Sequence, residues 1–185
     1  MPCFTSPHRR RLTLGPAAIG IVLAAPMLAG AMVRPVDARE SPKVIAGRAS
    51  VIDGDTIEIR GQRIRLFGID APESGQTCTD ANAATYRCGQ RAAQALDDRI
   101  SDGVVTCERK DTDRYGRMVA VCRAYGEDLS AWMAGLGWAL AFRRYSDEYA
   151  PAEDLARRRK AGMWSGQFVP PWEWRAEARS GAGSR

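Results

Sequence analysis

Histidine is nearly absent from this sequence: among 185 residues the one histidine is His8, and it precedes an uncharged run from Leu12 to Val33. A domain that begins after that run has no imidazole. This excludes Ser-His-Asp and Cys-His nucleophilic systems, imidazole general bases and histidine-ligated zinc or iron. Acid–base chemistry would fall to Asp, Glu, Lys, Tyr or Arg. Paired CxxC spacing is missing as well, which argues against structural zinc. A large excess of one charge is the third absence. The chain carries 27 basic and 22 acidic residues, and removing residues 1–38 takes away four Arg and one Asp, leaving a formal charge of +2. Bulk charge therefore does not announce a nucleic-acid binder. An anionic substrate would need local clusters such as Arg143-Arg144 or Arg157-Arg158-Arg159-Lys160.

The long hydrophobic run is N-terminal. Arg9-Arg10-Arg11 ahead of Leu12–Val33 reads as the basic and apolar regions of an export signal, with cleavage expected at Ala29-Gly30-Ala31 or at Val36-Asp37-Ala38. The same run is long enough to cross a bilayer uncleaved, with its arginines on the cytoplasmic side. Residues 12–33 are thus expected to be a removed signal or a membrane anchor, and the domain to be periplasmic, secreted or anchored. Cysteine usage agrees. Beyond Cys3 lie Cys78, Cys88, Cys107 and Cys122, an even set that suggests two disulfides in an exported domain. Four cysteines allow three pairings; the local reading joins Cys107 to Cys122 across a hairpin and Cys78 to Cys88 around a short loop, each bond contributing about 3 kcal/mol.

After residue 38 the periodicity is that of one small α+β, mainly β, domain. Val44, Ile45, Val51 and Ile52 mark a first strand, Thr56–Arg60 a second and Arg63–Leu66 a third, with Gly61 breaking the alternation. A helix is expected over Asn82–Ile100. A strand pair, Val104–Cys107 and Met118–Cys122, follows around a turn-rich Lys110–Gly116. Two more helices are expected over Asp128–Leu136 and about Ala152–Lys160. Pro170-Pro171 then opens a tail, residues 169–185, expected to fray. This order suits a five-stranded barrel covered by three helices, within residues 39–168.

Residues Ile52-Asp53-Gly54-Asp55-Thr56 place two carboxylates around one glycine. Asp-Gly between apolar residues is a hairpin signal, with glycine accepting positive φ. If the first three strands form a meander, Asp70 and Glu73 in Ile69-Asp70-Ala71-Pro72-Glu73 end near that turn. Like charges ~4 Å apart cost about 4 kcal/mol at an effective dielectric of ~20. Such a cluster implies a cation or raised pKa values. Oxygen donors alone point to Ca²⁺ or Mg²⁺. Arg65 on the third strand and Arg117 after Asp113-Arg114-Tyr115-Gly116 add two forked, permanently charged donors, which suit a phosphodiester and its transition state.

The stretches "VIDGDT", "IRLFGIDAPE" and "DRYGR", in this order, resemble the staphylococcal nuclease family from about Lys43 to Trp164. The resemblance implies an OB-fold barrel with three helices. It also implies a Ca²⁺-dependent phosphodiesterase that cuts DNA and RNA, single strands preferentially, to leave 3′-phosphates. Position by position it makes Asp55 and Asp70 the metal carboxylates, Ala71 a backbone-carbonyl ligand and Asp53 an outer partner. Glu73 matches the general base or water-orienting carboxylate, Arg65 and Arg117 the phosphate-binding arginines, and Tyr145 a tyrosine of the nucleotide pocket. The chain departs from the family at Ala71, where threonine is usual, and at Arg143, which replaces a pocket tyrosine. Residues Ser74–Arg91 replace a lysine-rich loop with a cysteine-bearing one. A monomer is expected. The competing readings are an OB-type binding module without turnover, and an envelope protein whose cation site is purely structural. The retention of Glu73, Arg65 and Arg117 speaks for the enzyme, because a binder would not aim a carboxylate at a phosphate.

Overall fold

The structure is a computed structural model, and it describes residues 43–182. The expected export segment, including residues 12–33, lies outside the described residues. Among those described, no helix is long and apolar enough to cross a membrane.

The expected first strand is two segments, β1 (Val44–Gly47) and β2 (Ala49–Asp53), parted at Arg48. β3 (Thr56–Ile59) and β4 (Gln62–Leu66) follow as their alternation predicts, with Ile57, Ile59, Ile64 and Leu66 buried. The turn joining them holds Arg60 at φ 51° and Gly61 at φ 77°, the left-handed pair that a two-residue hairpin turn requires. β5 (Ile69–Asp70) ends the run. Next comes a feature the sequence reading missed, a small hairpin of β6 (Cys78–Thr79) and β7 (Thr85–Tyr86). It occupies the first part of the expected helix, so α1 starts at Cys88 and runs to Ile100. Cys88, Ala92, Leu96 and Ile100 recur every fourth residue and are buried, which is why this segment is helical and which face it turns inward.

β8 (Val105–Thr112) and β9 (Met118–Ala124) extend further into the turn region than expected. β10 (Glu127–Asp128) leads to α2 (Leu129–Gly135), whose N-cap Asp128 accepts hydrogen bonds from the Ser130 and Ala131 amides. β11 (Leu140–Ala141), α3 (Ala150–Arg159) and a 3₁₀ turn (Gly162–Ser165) follow. The expected frayed tail is instead a fourth helix, α4 (Pro171–Ala182). Proline opens it with φ already set for a helix, and the Trp172 ring packs 5.7 Å from that of Phe142.

The sheet order is β1-β8-β9-β4-β3-β2, antiparallel except for the parallel pair β4–β9. Its two ends, β1 and β2, are halves of one bent strand, so the sheet curls on itself as a barrel of five strands. Gly47, just before the bend, leaves room for Ile59, whose Cγ2 a Cβ there would meet at 2.9 Å. α1 and α2 pack on the barrel core. Cys107 and Cys122 are ladder partners and are joined, and Cys78 is joined to Cys88. Both bonds are the ones the local reading gives.

Candidate active site

The site begins at the β2–β3 turn. Asp53 pairs with Thr56, leaving Gly54 and Asp55 as the turn itself. Asp53 Oδ1 accepts the Asp55 amide at 3.0 Å and closes it. Gly54 is not among the glycines with positive φ, so the dihedral reason for a glycine does not hold. Space is the reason. A Cβ on Gly54 would stand 2.8 Å from the Cβ atoms of both Ala71 and Ala92. Without one, the turn, the residue after Asp70 and α1 meet at a point.

Asp55 is thereby carried inward and is 2% exposed. Its Oδ1 accepts the Thr56 hydroxyl at 3.1 Å and Arg65 Nη1 at 2.8 Å, and its Oδ2 accepts the Ala71 amide at 2.7 Å. Arg65 can reach it because the β3–β4 register sets Arg65 opposite Thr56. The second prong, Nη2, donates to Asp70 Oδ1 at 2.6 Å. Asp70 is fully buried and held in place by its pairing with Leu140. One guanidinium therefore joins two buried carboxylates.

The electrostatics follow from that burial. Desolvation pushes the Asp55 carboxyl up to about 6; the charge of Arg65 offsets this in part, and Asp53 adds to it. Burial by itself would lower the Arg65 pKa, but Asp55 and Asp70 more than reverse this, and the net shift is upward. The guanidinium stays charged.

A further cation comes from a residue that sequence reading missed. Arg175 of α4 donates from Nη1 to Asp70 Oδ1 at 3.1 Å and to Glu73 Oε1 at 2.8 Å, and from Nη2 to Asp70 Oδ2 at 2.6 Å. Burial works against its charge, yet the hydrogen bonds to Asp70 and Glu73 raise its pKa further above the usual arginine range. The signal was there to read: Pro171 followed by Trp172, Glu173 and Trp174 is a helix start with apolar surface to bury, not a solvated tail.

Glu73 stands beside Asp70 in a loop fixed by Gln76. The Gln76 amide donates to the Glu73 carbonyl at 2.7 Å, and Gln76 Oε1 accepts the Glu73 amide at 3.3 Å. Gln76 is fully buried, and its Nε2 donates to the Val169 carbonyl at 2.7 Å. The Glu73 loop is thus tied to the segment that leads into α4.

Arg117 is not hydrogen-bonded to this cluster. Its Nε donates to Asp113 Oδ2 at 2.7 Å, and its guanidinium lies 5.6 Å from the Tyr115 ring centre. It immediately precedes β9, two residues ahead of Val119, the parallel-ladder partner of Arg65. Asp113 is a second missed positioning group. Tyr145 is 71% exposed and packs on Phe142 at 5.2 Å between ring centres. Arg143 is turned to α3, donating to Glu153 and Asp154. Both border on, or lie near, a groove of about 960 Å³ lined by Phe142, Arg143, Arg157, Trp164 and Trp172 among others. That groove does not contain the carboxylates; it adjoins them through α4, where Trp172 and Arg175 are one turn apart.

Calcium can be tested against these donors. Asp55, Asp70 and the Ala71 carbonyl offer oxygen alone, which fits a hard divalent ion. Among the described residues no group of three or more His, Cys, Asp or Glu is gathered to hold an ion. Two carboxylates would therefore form a partial shell, completed by the Ala71 carbonyl, water and substrate oxygens, as calcium's flexible coordination allows.

An OB-type barrel with a buried acid–arginine cluster at its first turn defines a narrow class of proteins. The family model for staphylococcal nuclease homologues matches residues 63–166. The chain is 43% identical over 168 residues to the succinoglycan biosynthesis protein ExoI of Rhizobium meliloti, covering 88% of this chain and 83% of that protein. It is 33% identical over 148 residues to the micrococcal nuclease of Shigella flexneri, covering 70% of this chain and 79% of that one. Protein ParB of Escherichia coli is 34% identical over 148 residues, covering 70% of this chain and 78% of its own. The chain belongs to the staphylococcal nuclease family.

Proposed function

We propose that this protein is an exported, Ca²⁺-dependent nuclease that hydrolyses phosphodiester bonds of DNA and RNA, single strands preferentially. The observation that carries the reading is the Arg65 bridge between Asp55 and Asp70, a fixed cation beside two buried acids with Glu73 next to them. Asp55, Asp70 and the Ala71 carbonyl would hold the ion, which supplies Lewis-acid polarisation of the phosphate. Arg65 neutralises the phosphate oxygens, and Arg117, at the start of the adjacent strand's hairpin arm, adds charge as a fifth oxygen joins phosphorus. Glu73 orients a water and accepts its proton as the water oxygen bonds to phosphorus. The P–O5′ bond breaks, the leaving oxygen takes up a proton from solvent water, and the product keeps a 3′-phosphate. Tyr145 and Arg143 would border the nucleotide. Two disulfides suit an oxidising compartment, which supports export. In a binding module without turnover, Glu73 would serve only as a partner of Arg175.

The test is digestion of heat-denatured DNA by the chain from residue 39 onward, with Ca²⁺ and with EGTA. Digestion with the ion and none with the chelator is expected. Equal digestion in both removes calcium from the reading, and none in either removes the nuclease.

A further inference from the structure

Arg175 grips Asp70 with both prongs of its guanidinium. Oδ2 accepts from Nη2 at 2.6 Å and Oδ1 from Nη1 at 3.1 Å, while Nη1 also meets Glu73 at 2.8 Å. Arg65 shares Oδ1, so both oxygens of Asp70 already carry arginine donors. Bidentate pairs of this kind are the strong form of a charge-assisted hydrogen bond. A divalent ion needs the same lone pairs, and it would face a guanidinium of like charge at contact distance. In a partly buried site that repulsion is weakly screened. The ion and Arg175 therefore compete for Asp70.

The means of holding Arg175 are limited and local. At the start of α4, Pro171 is buried and Trp172 packs on Phe142. Beyond Arg175, residues 176–181 are all exposed. Ahead of the helix, the Val169 carbonyl is bonded by Gln76, the residue that also fixes the Glu73 loop. The helix is therefore attached through its first turn and through the arginine. Beyond that first turn few buried contacts oppose local release.

We propose that Arg175 is a built-in competitor of the divalent cation, so that docking of α4 and ion binding at Asp70 exclude one another. The proposal rests on the reading of Asp55 and Asp70 as cation ligands. It makes the C-terminal helix a brake that sets how much ion the site needs. In an environment poor in the ion, Arg175 holds Asp70 and Glu73 neutralised; ion at sufficient concentration lifts the helix.

Calcium-titration calorimetry on the parent chain, Arg175→Gln and Arg175→Ala tests this, together with hydrogen exchange over α4 in the parent with and without saturating Ca²⁺. Both variants are expected to bind Ca²⁺ at least tenfold more tightly than the parent. The α4 amides of the parent are expected to lose protection at least tenfold when the ion is added. Equal affinity in all three proteins, or α4 protection unchanged by the ion, overturns the competition and leaves the cation reading standing. Absence of Ca²⁺ binding in all three overturns the cation reading and the proposal with it. Arg175→Gln keeps length and polarity, and the exchange measurement needs no variant, so misfolding of the alanine form cannot decide the matter.

Discussion

Gly89, the second residue of α1, lies against the backbone of Glu73: a Cβ built on it would overlap the Glu73 carbonyl and come within 3.0 Å of Ser74 Cα. The obstacle is backbone, not the end of a flexible side chain, so the loop must move. A displacement near 1 Å in a catalytic group can lower turnover by about 10². Gly89→Ala is therefore expected to lower turnover by about that factor while the far-ultraviolet circular dichroism stays unchanged. Gly135→Ala is the control, because a Cβ there meets nothing within 4 Å. Equal activities of the two variants would remove the positioning role of Gly89.

The two arginines should separate by their effect on stability. Arg65→Ala leaves Asp55 and Asp70 buried with one partner fewer, which is expected to destabilise the fold by about 3 kcal/mol in denaturant titration. Arg117→Ala releases Asp113, a partly exposed partner, at a cost of about 1 kcal/mol or less. Both are expected to lower turnover by about 10² or more. Near-normal turnover of Arg117→Ala would exclude it from transition-state binding.

The disulfides should separate in the opposite sense. Cys78–Cys88 ends at the first residue of α1, beside Gly89 and the Glu73 loop, whereas Cys107–Cys122 joins buried ladder partners. Removing either bond is expected to cost about 3 kcal/mol. Replacing both Cys78 and Cys88 by Ala is expected to lower turnover under conditions where the protein remains folded, and the corresponding change at Cys107 and Cys122 to spare it. Parallel kinetics and thermal melts of the two double variants measure this.

Asp113 gives a pH dependence with a defined sign. Burial would raise its carboxyl, but hydrogen bonds from the Arg117 side chain and from the Arg117 and Tyr115 amides hold it below the ordinary value of 3.8. A carboxyl lowered by folding stabilises above its unfolded pKa, and that contribution is lost as pH falls through the folded one. Asp113→Asn is expected to reduce the loss of stability on acidification below about pH 4. Identical acid-unfolding midpoints for parent and variant would refute the assignment.

Much of the fold is local, and that part was legible. The alternation in β3 and β4, the Asp128 cap of α2 and the cysteine spacings each depend on residues close in sequence, where period and turn chemistry act directly. Asp55, Asp70, Glu73 and Arg65 were legible as a group because a meander brings successive strand ends together. Other features had no local signature. The bend at Arg48 exists because β1 and β2 belong to opposite ends of the sheet order. The hairpin at residues 78–86 displaced the first turns of an expected helix, since pairing with β7 and the bond to Cys88 outweighed local propensity.

The sequence by itself determined the donor set, oxygen and guanidinium without imidazole, and the strand ends that carry it. Only the tertiary structure decided that Gly54 is needed for space, and that a guanidinium from the last helix closes on Asp70 from 105 residues away. Contacts over such separations follow from how packed surfaces meet, which no periodicity along the chain encodes.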